Sequence, residues 1–250
     1  MRRVSLDLDT ATANATEVAS QPTDRRRDQL AGGERDDGLA SSASWSNDFH
    51  LDMNTQQNYW AVEPTNLAEC HTPLFRLLQL LAETGQSTAI QMYDARGWVA
   101  HTVTNAWGYT APGTAMGWGL NVTGGAWLAV HLWEHYEYGG DDEFLRDVAY
   151  PVLRGAALFL LSYLTEEPDH GWLVAGPSES PENWYVAPDG TRCSVAMGNT
   201  VDRVFAEAIL RDCAAAAEVL GVDPDLRERI SAARARLSPF RIGRHGQLQE

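Results

Sequence analysis

The sequence predicts an all-α protein, on three observations: apolar residues recur at helical spacing over segments of 14 to 22 residues, recognisable start and stop signals bound those segments, and no convincing run of consecutive β-strands lies between them. The first helix follows Asn66, which with Glu69 three places on resembles a capping box. Leu67, Leu74, Leu77, Leu78 and Leu81 then recur on one face up to Gly85. A second runs from Gly125 to Tyr138, carries Trp127, Val130, Leu132 and Trp133, and stops at Gly139-Gly140. Asp141 and Asp142 open a third, Glu143 to Leu164, which Pro151 should kink or divide. A fourth, Thr200 to Leu220, places Val201, Val204, Phe205, Ala208 and Ile209 on one face and ends at Gly221. Asp223-Pro224 opens a fifth, to about Leu237.

Residues 1 to 44 contain no aromatic residue and hold clusters such as Asp24-Arg25-Arg26-Arg27, so they read as a linker or loosely packed arm. All nine tryptophans lie from Trp45 onward, so the folded body is expected over 45–250. With 34 acidic against 19 basic residues the formal charge is −15, which repels phosphate backbones and anionic membrane surfaces, so neither nucleic acid nor membrane is expected as a partner. Every basic residue is arginine, which excludes a lysine Schiff base and a Walker-A loop. Cys70, Cys193 and Cys213 lack zinc-site spacing and read as buried free thiols. No apolar run reaches the length of a membrane span, and MRRVSLDLDT lacks the apolar region of a signal peptide. The expectation is a cytoplasmic chain without export signal.

The chemistry concentrates in long loops. In GWLVAGPSESPENWYV, residues 171–186, Glu179 and Glu182 lie among prolines and aromatics, where desolvation could raise a carboxyl pKa toward that of a general acid. A solvated acidic loop is the competing reading. In His50-Leu51-Asp52-Met53-Asn54 the polar residues alternate. An extended segment would aim all three at a sugar while Leu51 and Met53 anchor the other side, and an Asx-turn leading into a helix is the alternative. Trp107, Tyr109, Trp118, Trp172, Trp184 and Tyr185 fall in two loops and suggest a ligand-lined cleft. His131-Leu132-Trp133-Glu134-His135 matches the H-x-x-E-H pattern of a class of zinc peptidases, but the third ligand that pattern needs, a downstream Glu, cannot be singled out. Ordinary packing is the expectation, with no metal and no cofactor.

Taken together, HLDMNTQQNYW (50–60), EPTNLAECHTPLF (63–75), the segment 97–108, GGAWLAVHLWEHY (124–136), GPSESPEN (176–183) and RIGRHGQLQE (241–250) resemble glycoside hydrolase family 95, the family of α-1,2-L-fucosidases and α-L-galactosidases. The resemblance implies an N-terminal β-sandwich, a linker and an (α/α)6 toroid, of which this chain would hold a part. RRVSLDLDTATA would be a sandwich remnant and PTDRR a remnant of the linker. It implies exo-hydrolysis of a terminal α-L-fucosyl or α-L-galactosyl residue from a glycan with inversion, without metal or cofactor. By the same resemblance Glu182 is the general acid, Asn54 with Asp52 positions the attacking water, and His50, His101 and Trp107 contact the sugar.

Two departures bear on substrate choice: Asp52 stands where many relatives have Asn, and Asn105 where many have Asp. The base-activating Asp of the family comes from a later segment than Glu250, so little or no hydrolase activity is expected of the chain as written, and Asp52 is the one residue that could serve as a substitute base. A non-catalytic carbohydrate-binding or interaction fragment, self-associating through an open apolar flank, is the alternative, and a zinc hydrolase at His131 and His135 a third reading.

Overall fold

The computed structural model describes residues 48–249. The segment 1–44, expected to be a linker-like arm with a sandwich remnant, lies outside the described residues. Helices dominate: α1 (Asn54–Tyr59), α2 (Thr72–Tyr93), α3 (Met116–Gly119), α4 (Gly124–Gly139), α5 (Asp142–Phe144), α6 (Tyr150–Tyr163), α7 (Thr200–Leu220) and α8 (Pro224–Arg234). The strands among the described residues are two residues long and form four antiparallel pairs: β1 (Phe49–His50) with β2 (Val103–Thr104), β3 (Thr165–Glu166) with β4 (Leu173–Val174), β5 (Ser178–Glu179) with β8 (Val195–Ala196), and β6 (Tyr185–Val186) with β7 (Arg192–Cys193). These ladders fasten loops to the helices and build no sheet core. Among the described residues no helix is long and apolar enough to cross a membrane.

The predicted helices form, with three differences of physical interest. Asn66 does not cap α2, because its backbone is left-handed (φ 58°). A 3₁₀ turn (Ala68–His71) intervenes, and the α-helix opens with Pro73 in its first turn. Leu67 is accordingly exposed, whereas Leu74, Leu77, Leu78 and Leu81 are buried as expected. Nor does Gly85 end α2. The helix runs on to Tyr93 and stops at left-handed Asp94. Gly85 is a point of close approach instead, since a Cβ there would lie 2.5 Å from the Val99 carbonyl oxygen. Pro151 does divide its helix. Without an N–H to give, it cannot continue the ladder, and a π-helical turn (Leu145–Ala149) precedes α6.

Asp141 caps α5, its carboxylate accepting from the Glu143 and Phe144 amides at 2.9 and 3.1 Å.

Helices α4 and α6 occupy the middle, each packing against α2 on one side and α7 on the other, while α8 closes over α7. The buried stripe of α7 runs through Asp202, Ala206, Ile209, Cys213 and Ala216. That is about one residue away from the predicted face, and Val204 is exposed. A carboxylate at a core position disguised the true face. The three cysteines are free, and only Cys213 is buried; Cys70 is exposed and Cys193 half-buried.

Candidate active site

The segment carrying Asp52 and Asn54 is extended only through His50, where β1 pairs with β2 (His50 opposite Val103). Leu51 to Met53 then turn, with Met53 at φ 116°, and Asn54 begins α1. The turn into a helix is thus realised, and the alternation that would have aimed three polar side chains one way is not. Leu51 anchors the turn, fully buried with its N–H on the Thr102 carbonyl at 2.6 Å, while Met53 is exposed. Gln56 closes it from within, accepting from the Met53 N–H (3.3 Å) and donating to the Leu51 carbonyl (2.7 Å). His50 Nδ1 stands 3.7 Å from Asp52 Oδ1. Burial pushes the Asp52 pKa up, with the nearby Glu182 charge adding to the rise and His50 opposing it.

The loop bearing Glu182 is held from several sides. Ser178 and Glu179 pair with Ala196 and Val195. The Glu179 N–H reaches the Leu120 carbonyl (3.3 Å), and the Tyr163 hydroxyl donates to the Pro177 carbonyl (2.7 Å). Asn183 folds back on Ser180 through its N–H (2.6 Å) and its side-chain amide (3.1 Å).

The two glutamates have opposite environments. Glu182 is exposed. Glu179 is fully buried, neither of its carboxyl oxygens has a hydrogen-bond partner, and burial followed by the charges of Asp52, Glu182 and Asp202 pushes its pKa up to about 8. At neutral pH Glu179 holds its proton.

Of the expected sugar contacts, His50 lies beside Asp52 and Trp107 is 78% exposed, but His101 is sealed in the interior. Its Nδ1 lies 2.7 Å from the Thr110 carbonyl, which can only accept, so Nδ1 carries the proton and Nε2 accepts from the Tyr93 hydroxyl at 2.6 Å. With both nitrogens engaged and burial driving its pKa down to about 4, His101 is a neutral strut between α2 and the loop that carries Trp107, and no sugar reaches it in this arrangement.

The six loop aromatics divide. Trp172, Trp184 and Tyr185 line a cavity of about 560 Å³ beside the acid loop, together with Ser180, Asn183 and Phe240. The Arg192 guanidinium sits 4.1 Å over the Trp184 ring. Trp118 instead packs against Gly113, and Tyr109 bonds the Pro112 carbonyl (2.7 Å). His50, Asp52, Asn54 and Trp107 are not among the residues lining the cavity.

Of the two H-x-x-E-H histidines, His135 finds a hydrogen-bond partner upstream in the chain, whereas His131 Nδ1 is buried without one. Glu63 Oε1 lies 2.6 Å from both His71 Nδ1 and His135 Nδ1, and these three ligand-type groups lie within 4.8 Å of one another. A zinc ion bound at about 2.0–2.1 Å spaces tetrahedral ligand atoms roughly 3.3 Å apart. The observed spacing is instead that of two N–H groups donating to one carboxylate oxygen. Burial works against the Glu63 charge, but the bonds from His135 and His71 outweigh it and its pKa is lowered. Burial also lowers the pKa of His71, and brings that of His131 to about 4. The cluster ties α4 to the segment ahead of α2.

Residues that the sequence did not single out complete the site. Asp202, at the start of α7 and fully buried, accepts from the Thr123 hydroxyl (2.8 Å) and the Ser178 hydroxyl (3.1 Å) on Oδ1, and from the Asn199 amide (3.3 Å) on Oδ2. The only hint in sequence is a carboxylate one position off an otherwise apolar helical stripe.

Carboxyl groups from a loop and from a separate turn, near enough for their charges to act on one another, are the kind of grouping that glycoside hydrolases use. The chain belongs to glycoside hydrolase family 95: residues 40–250 match the model of the glycosyl hydrolase family 95 catalytic domain. It is 43% identical over 209 residues to "Alpha-L-fucosidase 2" of Arabidopsis thaliana, covering 82% of this chain and 25% of that protein. It is 33% identical over 217 residues to "Probable alpha-fucosidase A" of Aspergillus niger, covering 84% and 26%. The chain therefore spans about a quarter of the length of these curated relatives. A solved structure, "Putative kojibiose phosphorylase from human microbiome", superposes with a TM-score of 0.61 at 13% identity over 80% of this chain and 29% of that one, a likeness of fold alone.

Proposed function

We propose that this chain forms part of an (α/α)6 toroid and carries the acid side of an inverting exo-α-L-fucosidase site acting on a terminal α-L-fucosyl or α-L-galactosyl residue of a glycan. The observation that carries the reading is that Glu182, of the Ser180-Pro181-Glu182 loop, lies near enough to Asp52, of the turn into Asn54, for its charge to raise the Asp52 pKa. Glu182 would protonate the departing glycosidic oxygen while water attacks the anomeric carbon from the opposite face. Asn54 would orient that water. It cannot keep a proton, so the proton passes to a carboxylate, and among the described residues Asp52 stands beside Asn54 to take it.

Accessibility favours Glu182 over Glu179, because a general acid must come within about 3 Å of the oxygen it protonates. Exposed Glu182 can do so and sealed Glu179 cannot. His50 and Trp107 would contact the sugar, with His101 supporting the loop of Trp107. A second reading, sugar binding without turnover, draws on the exposed Trp184 and Tyr185 beside the cavity.

Glu182→Gln should lower hydrolysis of a poor-leaving-group α-L-fucoside by about 10²–10⁴-fold and leave an activated aryl fucoside much less affected. Equal losses on both substrates, or a larger loss from Glu179→Gln, would contradict the assignment of Glu182. Binding without turnover of either substrate would favour the second reading.

A further inference from the structure

We propose that Asp202 is a positioning residue that clamps the two halves of the site together, so that its loss displaces the acid loop from the turn carrying Asp52 and Asn54. The inference rests on the glycosidase reading for its consequence, and on geometry alone for the clamp itself.

One oxygen, Asp202 Oδ1, receives hydroxyls from two walls. From the acid loop comes Ser178, whose Oγ is 3.1 Å from Oδ1 and 3.4 Å from the Leu120 carbonyl, so its single proton goes to the carboxylate. From the N-terminal end of α4 comes Thr123, whose hydroxyl is 2.8 Å from Oδ1 and 2.9 Å from Asn121 Oδ1. The Thr123 backbone N–H already serves Asn121 at 3.0 Å, which frees the hydroxyl for Asp202. The other carboxylate oxygen accepts from Asn199, and the same Asn199 amide donates to the Ser178 carbonyl at 3.0 Å, so Ser178 is gripped at both side chain and backbone.

Each wall leads directly to reacting groups. Ser178 precedes Glu179 in β5, and the loop continues through Ser180 to Glu182. On the other side, Thr123 precedes Gly124, where an added Cβ would lie 2.8 Å from the His101 carbonyl oxygen and 3.3 Å from Leu51 Cβ. Leu51 is the buried anchor of the turn bearing Asp52 and Asn54. The path from Glu182 to Asn54 therefore runs loop, Ser178, Asp202, Thr123, Leu51, turn, with Asp202 at its middle.

The position suits an anion. Asp202 sits in the first turn of α7, and Thr123 stands at the N-cap position of α4 with its hydroxyl turned to Asp202 rather than to its own helix, so the positive ends of two long helices converge on the carboxylate. A carboxylate is an acceptor at every lone pair, which is what lets Asp202 take hydroxyl protons from two directions. An Asn keeps one such oxygen and turns the other into a donor facing the Asn199 amide. An Ala removes both.

The test compares Asp202→Ala and Asp202→Asn with Asp212→Ala. Asp212 is an equally buried carboxylate of the same helix, bonded to Arg211 and distant in sequence from the clamp. Misplacing a catalytic group by about 1 Å costs on the order of 10²-fold in rate. Asp202→Ala should lower kcat on a poor-leaving-group α-L-fucoside by about that factor with KM changed less than about threefold, lose much less on an activated aryl fucoside, and be partly rescued in Asp202→Asn. An equal loss on the two substrates, or the same kcat loss in Asp212→Ala at matched thermal stability, would overturn the proposal. If the unsubstituted chain turns over neither substrate, as expected where the base-activating Asp is missing, hydrogen exchange decides the clamp. The Glu179 and Asn183 amides should then exchange at least roughly tenfold faster in the Asp202 variants than in Asp212→Ala, and equal exchange would refute it. Should Asp202→Ala fail to fold, Asp202→Asn carries the same comparisons.

Discussion

Replacing Glu179 by Gln turns a buried proton into a measurable stability term. The carboxyl titrates at 4.5 when exposed and at about 8 in the fold, driven by burial and then by Asp52, Glu182 and Asp202. Between those values the folded state binds a proton that the unfolded state has released, so the slope of stability with pH is negative and stability falls as pH rises. Each pH unit in that window costs about 1.4 kcal/mol, which sets an upper bound of about 5 kcal/mol by pH 8, a large share of the roughly 5–15 kcal/mol that holds a domain together. Gln is a neutral near-isostere that cannot ionise. Urea denaturation at pH 5, 6.5 and 8 should therefore find the variant within about 1 kcal/mol of the parent at pH 5 and progressively more stable than it toward pH 8. A gap that stays constant across the range, or a variant less stable than the parent at pH 8, would refute the reasoning, because either would mean that Glu179 is ionised in the fold. The same variant should hydrolyse an α-L-fucoside at near-parental rate at pH 6, since it mimics the protonated state.

Three further outcomes follow from particular contacts. Gly85→Ala should destabilise by about 1–3 kcal/mol although Ala is the better helix former by about 1 kcal/mol, because its Cβ meets the Val99 carbonyl in the buried seam; a rise in Tm would show that the seam can open. Glu63→Ala should cost about 1–3 kcal/mol by leaving the His71 and His135 N–H groups without their acceptor. Its histidine bonds hold the Glu63 pKa below the ordinary 4.5, so the stability that its charge supplies is present above that value and is lost as pH falls through the lowered one, whereas the lowering at His71 comes first from burial and persists in the variant. Below about pH 4.5 the deficit of the variant should shrink, and a deficit that grows there would reverse the assignment. Added zinc should leave the Tm of the parent unchanged, and a rise of several degrees would show that the triad opens to take the ion.

The helical class of the fold, most helix boundaries and the two segments proposed to carry the reacting groups are legible in the sequence, because they rest on signals that act over a few residues. Apolar periodicity placed α2, α4, α6 and α7, Asp141 is the cap its position suggests, and Pro151 breaks its helix for the covalent reason that it has no N–H. Local composition draws attention to the loop of Glu179 and Glu182 and to His50–Asn54, whereas the choice of Glu182 and Asn54 comes from the family resemblance. Other features depend on what arrives from far along the chain, and no local pattern encodes them. Gly85 reads as a stop signal and is a contact, because Val99 presses on it after the chain has doubled back. His101 reads as a polar group free for a ligand and is a neutral strut, because Tyr93 and Thr110 reach both of its nitrogens. The burial of Glu179 beside an exposed Glu182, three residues away, is set by which one the β5–β8 pairing turns inward, and Asp202 meets Ser178 and Thr123 only once α4, α7 and the acid loop have packed. Residue type and spacing name the chemical groups available, whereas long-range packing assigns each its proton, its partners and its access to solvent, since burial and charge act through space and are indifferent to order along the chain.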